Sequence, residues 1–350
     1  MKIALISPPF IAVPPKKYGG TELFIAELAK GLKEKGIKVV LYANGASTVP
    51  VETRWIFESE EWPLAGEVEA TLKGLMHSAW AVKDASGEAD VIHLNSAHGL
   101  TFSHFVSAPF VYTVHHPLDN TFAKFYKSLP DINYVTISDF QRQQLSPQRL
   151  RTIHHGIDLS SITVQAKNRS HLAFLGRIAP SKGTHLAIEI AKESGIPLKI
   201  AGEIQPVYEK YWEEKVKPHV DGKFIEYIGD VGGGDKQDLL GNAKALLFPI
   251  QWDEPFGLVQ IEAMAYGTPV LAMPGGSVAE IVKEGVSGHI RGRVQELAEL
   301  AKNLNLDPRQ VRAYAEENFS TERMVKDYIQ LYSEIISENS SKAEPERVVA

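Results

Sequence analysis

The chain has 350 residues, 44% of them apolar and 23% charged, which suits a soluble globular protein of two domains, each long enough for its own core. A net charge of -6 gives no reason to expect a nucleic-acid partner. With no cysteine there can be no disulfide, thiol nucleophile or zinc–thiolate site.

The first apolar run, Ile3 to Ile6, stops at Pro8, far short of a signal peptide or a membrane span. Lys2 to Ser7 reads as a buried strand and PPFIAVPPKKYGG as a loop. Thr21 is then expected to cap a helix from Glu22 to Lys35 that carries Phe24, Leu28 and Leu32 on one face. Ile37 to Tyr42 follows as a strand, and strand–helix–strand opens a parallel, doubly wound sheet. Ala46 to Gly66 is irregular, and its Trp55 and Trp62 read as core-filling rather than sugar-stacking residues. A helix from Glu67 to Ala85 comes next. Strands are expected at Asp90 to Asn95, Phe110 to His115 and Asn133 to Ile137, with helices at Leu100 to Val106 and Leu118 to Ser128 between them. Ser138 opens a further short helix, and the aperiodic Leu159 to Ser170 reads as a linker.

The pattern then repeats. His171 to Gly176 is a strand, and RIAPSKG leads into a helix from Thr184 to Glu193. Leu198 to Ala201 and Phe224 to Ile228 are strands, and Gly232 to Gly234 reads as a flexible connection. After a strand ending at Phe248 come a helix from Leu258 to Tyr266 and a strand from Pro269 to Met273. Helices are expected at Val294 to Leu304, Pro308 to Glu317 and Glu322 to Ile336, the last capped by Ser320 or Thr321 and returning Tyr328, Leu331 and Tyr332 to the first domain. The division is 1–160, 161–320, a helix over 321–340 and a disordered tail over 341–350.

Chemistry concentrates in a few loops. Glu254 and Glu262 flank the start of the helix at Leu258, which has no Ser, Thr or Asn cap. Its free amides, carrying partial positive charge, suit a ligand oxygen or phosphate. The next helix, by contrast, reads as well capped: Ser277 and Glu280 have capping-box spacing and Gly285 closes it. Arg177 and Lys182 lie five apart in one strand-to-helix loop and can converge on an anion. Gly19 and Gly20, lacking Cβ atoms, would let backbone approach one. His115 and His116 end a strand, where open α/β sheets place ligand contacts. No carboxylate or further histidine stands near this pair at a metal-ligand spacing. No Gly-Lys-Ser/Thr follows the glycine run, and no G-x-G-x-x-G opens a helix after Ser7, which argues against a P-loop or a nicotinamide enzyme.

The run EPFGLVQIEAMAYGTPV, followed by PGGS and EIV, resembles the signature of the retaining family 4 glycosyltransferases, whose paired glutamates match Glu254 and Glu262. VYTVH resembles the family's T-x-H element, GRIAPSKG its G-R-x-x-x-x-K-G element, and YGGTE its glycine loop. Two departures are His116, where family members often carry Asp or Gly, and His155, where they carry Asn. The resemblance implies a GT-B fold, two facing Rossmann-like α/β domains, with the acceptor on the first and a nucleotide sugar on the second. It implies that Glu262 accepts hydrogen bonds from the ribose hydroxyls. Arg177, Lys182 and the amides of Gly19 and Gly20 would neutralise the diphosphate, and His115, Glu254 and the amides of Phe256, Gly257 and Leu258 would hold the sugar. It further implies retention of anomeric configuration with no metal cofactor, since Arg177 and Lys182 take the metal's place and no Asp-x-Asp run is present.

The expected activity is transfer of a hexose from a UDP- or GDP-linked donor to a sugar, lipid or small-molecule acceptor. The expected location is the cytoplasm, with peripheral contact at the inner membrane face if the acceptor is a lipid. A nucleotide-sugar epimerase or sugar phosphorylase of the same architecture, and a non-enzymatic two-domain ligand-binding protein, are the alternatives.

Overall fold

The computed structural model describes residues 1–16, 19–62, 64, 66–160, 162–164 and 169–343. Two parallel sheets organise it. The first has strands β1 (Lys2–Ile6), β2 (Lys38–Tyr42), β3 (Glu52–Arg54), β4 (Val91–Leu94), β5 (Phe110–Val114), β6 (Asn133–Thr136) and β7 (Leu150–Thr152) in the order β3-β2-β1-β4-β5-β6-β7. The second has β8 (His171–Leu175), β9 (Leu198–Ala201), β10 (Ile225–Tyr227), β11 (Ala243–Phe248), β12 (Val270–Ala272) and β13 (Gly288–Ile290) in the order β10-β9-β8-β11-β12-β13. Strands covered on both faces carry near-continuous apolar runs, and KIALI and AKALLF are of that kind. Ile3 pairs with Val39 and Val91, and Leu246 with Ala173 and Val270, which fixes the central registers.

Helices α1 (Gly20–Glu34), α2 (Glu67–Ala85), α3 (Asn120–Lys127) and α4 (Asp139–Gln143) serve the first sheet. Helices α5 (Thr184–Ser194), α6 (Glu209–Tyr211), α7 (Gly233–Gly241), α8 (Leu258–Ala265), α9 (Val278–Ile281), α10 (Val294–Lys302) and α11 (Pro308–Phe319) serve the second, and α12 (Thr321–Ala343) crosses back. Met324, Val325, Tyr328, Leu331 and Tyr332 of α12 are buried in one cluster with Phe24, Leu28 and Leu32 of α1. The helices approach so closely that a Cβ on Gly31 would collide with Val325. Beneath them His93 is fully buried between the Tyr332 hydroxyl (2.7 Å) and the Thr113 hydroxyl (2.8 Å), and burial pushes its pKa down to about 3. A neutral ring that finds a partner for each nitrogen can be buried at modest cost.

Several local expectations are overturned. Trp55 and Trp62 are 49% and 46% exposed rather than core-filling. Residues 97–105 form a 3-10 segment, not an α-helix. The glycine run is the start of α7, with Gly232 at its cap and Gly233 turning in at φ +50°, instead of a loose connection. The last helix continues to Ala343, three residues into the stretch expected to be a disordered tail, the rest of which, 344–350, lies outside the described residues. The linker falls partly outside them too, though Ile157 bridges to Ser320 and Leu159 is buried.

Ser277 makes no cap hydrogen bond: its hydroxyl donates to the Phe256 carbonyl (3.1 Å). Glu280 instead accepts from the amides of Asp139 (2.7 Å) and Phe140 (2.5 Å), capping α4 of the other domain. The carboxyl edges of the two sheets therefore face each other, tied by this carboxylate.

Candidate active site

Among the helices that start at glycines with no side-chain cap are α1 at Gly19, α5 at Gly183 and α8 at Gly257. Thr21 is therefore not the cap expected of it. Gly257 sits at φ +83°, where a Cβ would also meet Gln260 Nε2 at 2.6 Å, so the turn into α8 favours glycine twice over. A Cβ on Gly20 would lie 3.4 Å from Leu258 Cδ1, which places the bare starts of α1 and α8 opposite one another across the cleft. The amides of Phe256, Gly257 and Leu258 find no acceptor among the described residues.

Behind α8 lies a buried charged pair. Lys182, in a short turn at 180–182, donates to Glu254 Oε2, and both side chains are about nine-tenths buried. Trp252 donates its indole N–H to the same oxygen (2.9 Å), and the Lys182 ammonium sits 4.6 Å from its ring centre. Both interactions leave Glu254 Oε1 unengaged among the described residues. Burial pulls the Lys182 pKa below the ordinary lysine value; Glu254 opposes that, and the positive charge of Arg177 adds to it. Arg177 carries a buried Nε without a partner among the described residues. A buried lysine held ionised only by a carboxylate, beside an arginine with donors to spare, is a site short of negative charge.

Glu262, on α8, pairs with Lys236 of α7 at 2.6 Å. Across the cleft His115 donates Nε2–H to Asn95 Oδ1 (2.9 Å), which leaves Nδ1 as an acceptor. Burial pushes its pKa well below the ordinary value, so the ring is neutral at pH 7. It stacks on His155 at 5.5 Å, and His155 meets Phe256 edge-on at 5.0 Å, so these rings bridge the two domains. His116 is occupied elsewhere, by the Pro117 carbonyl (2.7 Å) and the Tyr126 hydroxyl (2.6 Å). Asp139, His154 and Glu280 are the one group among the described residues whose ligand atoms cluster within 4.8 Å, but Glu280 is already spent on two amides.

Residues 159–320 match the family model Glycosyl transferases group 1, and residues 18–161 match Glycosyltransferase Family 4. The chain is a family 4 glycosyltransferase of GT-B fold. The fold is shared with Anabaena HepE in complex with UDP and glucose, at a TM-score of 0.75 and 19% identity over 95% of this chain and 99% of that one. Among curated sequences, an uncharacterised 41.2 kDa protein from a cps region of Klebsiella pneumoniae is 28% identical over 47% of each chain. Phosphatidyl-myo-inositol mannosyltransferase of Mycobacterium leprae is 24% identical over 83% of each. The chain spans about half the length of the first curated relatives it matches. No helix among the described residues of the transferase is long and apolar enough to cross a membrane.

Two groups at the site of this glycosyltransferase escape sequence reasoning. Trp252 stands two residues before Glu254, a spacing with no motif value until its N–H is seen on the carboxylate. Lys236 is 26 residues from Glu262 and meets it only in space.

Glu22 also gains weight. It is buried in the first turn of α1, with no side-chain partner among the described residues, and burial pushes its pKa up to about 7. The folded state then holds this proton more tightly than the unfolded chain does. The resulting stability is present below about pH 4.5 and is lost as pH rises through about 7, roughly 3 kcal/mol in all. Glu22→Gln is expected to gain on the wild type by up to that amount between pH 4.5 and 8 in urea unfolding. A difference that does not change with pH would contradict the assignment.

Proposed function

We propose that this protein transfers a hexose from a nucleoside-diphosphate sugar to an acceptor hydroxyl with retention of configuration, and that it needs no metal. The observation that carries the reading is the buried Lys182–Glu254 pair beside Arg177, set at the start of α8, whose amides lack acceptors among the described residues. A departing diphosphate supplies the missing negative charge. Cations and amides fixed in advance where charge accumulates on a leaving group lower the barrier most effectively, and two cations there do the work that a divalent ion would otherwise do.

Glu254 Oε1 and the amides of Phe256, Gly257 and Leu258 hold the hexose hydroxyls. His115 Nδ1 accepts from the sugar across the cleft. Because Glu254 Oε2 already accepts from Lys182 and Trp252, the carboxylate is a weak nucleophile, which favours attack by the acceptor on the face the diphosphate leaves. The acceptor hydroxyl forms the new C1–O bond as the C1–O–phosphate bond breaks, and its proton passes to the departing phosphate oxygen.

UDP and GDP are both reasonable donor bases; the UDP complex of the Anabaena structural neighbour supports the first. A thermal-shift screen against UDP, GDP, ADP and TDP and their hexose conjugates, in chelator, tests the reading. A ligand at about 100 times its Kd stabilises by roughly 2.7 kcal/mol, several degrees in Tm. One base should stand out. If no nucleotide shifts the folded protein, or if shifts require added magnesium or manganese, the proposal fails in its donor or its metal clause respectively.

A further inference from the structure

We propose that Lys236 and Glu262 act together on the donor's ribose, the ammonium donating to the same vicinal diol that donates to the carboxylate. This rests on the nucleotide-donor reading above and adds a contact to it. Lys236 Nζ lies 2.6 Å from Glu262 Oε1, while Oε2 has no partner among the described residues. The pair is not sealed: the side chains keep 28% and 14% of their exposure. Two N–H bonds of the ammonium remain unspent, and Coulombic attraction to Glu262 raises the lysine pKa, so it stays charged.

The start of α7 is shaped to leave this pair accessible. Gly232, Gly233 and Gly234 bring no side chain, and nothing lies within 4 Å of where a Cβ on Gly233 or Gly234 would sit. The run therefore serves the turn, with Gly233 at φ +50°, and delivers Lys236 one turn later to the carboxylate on the neighbouring helix.

A hydroxyl both donates and accepts. A carboxylate alone uses only its donor half; a carboxylate beside an ammonium uses both. Such a site discriminates against a sugar lacking the hydroxyl, because the loss leaves a partly buried acceptor and donor unmet at once.

Isothermal titration of the full-length protein with UDP and GDP, each against its 2′-deoxy form, provides the test. The wild type should prefer the ribonucleotide by about tenfold or more, a difference of roughly one hydrogen-bonded group. Lys236→Met should cut that ratio several-fold, leaving the part that Glu262 supplies, and Lys236→Arg should keep most of it. In the Lys236→Met/Glu262→Gln double variant the losses should fall short of additive, since both groups act on one diol. A lysine that merely neutralises a half-buried glutamate would lower the apo Tm and leave the ratio alone. Undiminished ribose preference in Lys236→Met therefore overturns this assignment while the donor site stands; if Lys236→Met does not fold, a preference lost in Lys236→Arg does the same. A wild-type protein that binds neither nucleotide removes the donor site itself, and this inference with it.

Discussion

Arg177→Ala and Lys182→Ala are each expected to lower sugar transfer by about 10²- to 10³-fold, the usual cost of removing one fixed stabiliser of leaving-group charge. The two should differ in stability. Lys182 is the buried partner of Glu254, and its loss strands a carboxylate that retains only the Trp252 N–H. Breaking such a pair from one side costs about 3–5 kcal/mol. Arg177 has no such duty: its buried Nε has no partner among the described residues, so alanine removes an unmet donor along with the charge. Its Tm should stay near the wild-type value while turnover collapses. Donor consumption under single-turnover conditions, read beside thermal unfolding, separates the two effects. Wild-type turnover in a folded Arg177→Ala protein would end the phosphate assignment.

What was legible in the sequence was what is local in it. The bare start of α8, the Glu254–Glu262 spacing and the Arg177–Lys182 loop each lie within one strand-to-helix connection, where chain geometry limits the arrangements. The α/β alternation set the two parallel sheets for the same reason. Rules failed where a partner came from elsewhere. Ser277 and Glu280 have capping-box spacing, yet α9 is four residues long and the carboxylate caps α4 of the other domain instead. Three glycines in a row read as looseness because nothing local shows that Lys236, just beyond them, is held by a glutamate on α8. Trp55 and Trp62 are amphipathic enough to suit a core or a surface, and only the packing decides between them.

Gly276→Ala is expected to damage stability and sugar transfer together. Gly276 lies at φ +55°, and a Cβ there would strike the amide nitrogen and carbonyl oxygen of Glu254, which are backbone and cannot swing aside. The same carbonyl accepts from the Ser277 amide (2.9 Å), so the turn cradles the segment that presents Glu254 to the cleft. Left-handed strain contributes about 1–2 kcal/mol and overpacking about 1–3 more. Transfer should fall together with stability, because relief of the clash must move Glu254 away from Lys182 and Trp252. Gly285→Ala is the control: its φ is +72°, yet nothing lies within 4 Å of the added Cβ. It should show the strain alone, with transfer near the wild-type rate. Equal losses in the two variants, by urea unfolding and by donor turnover, would mean that strain rather than contact with the Glu254 backbone governs this loop, and that the glycine turn does not position the carboxylate.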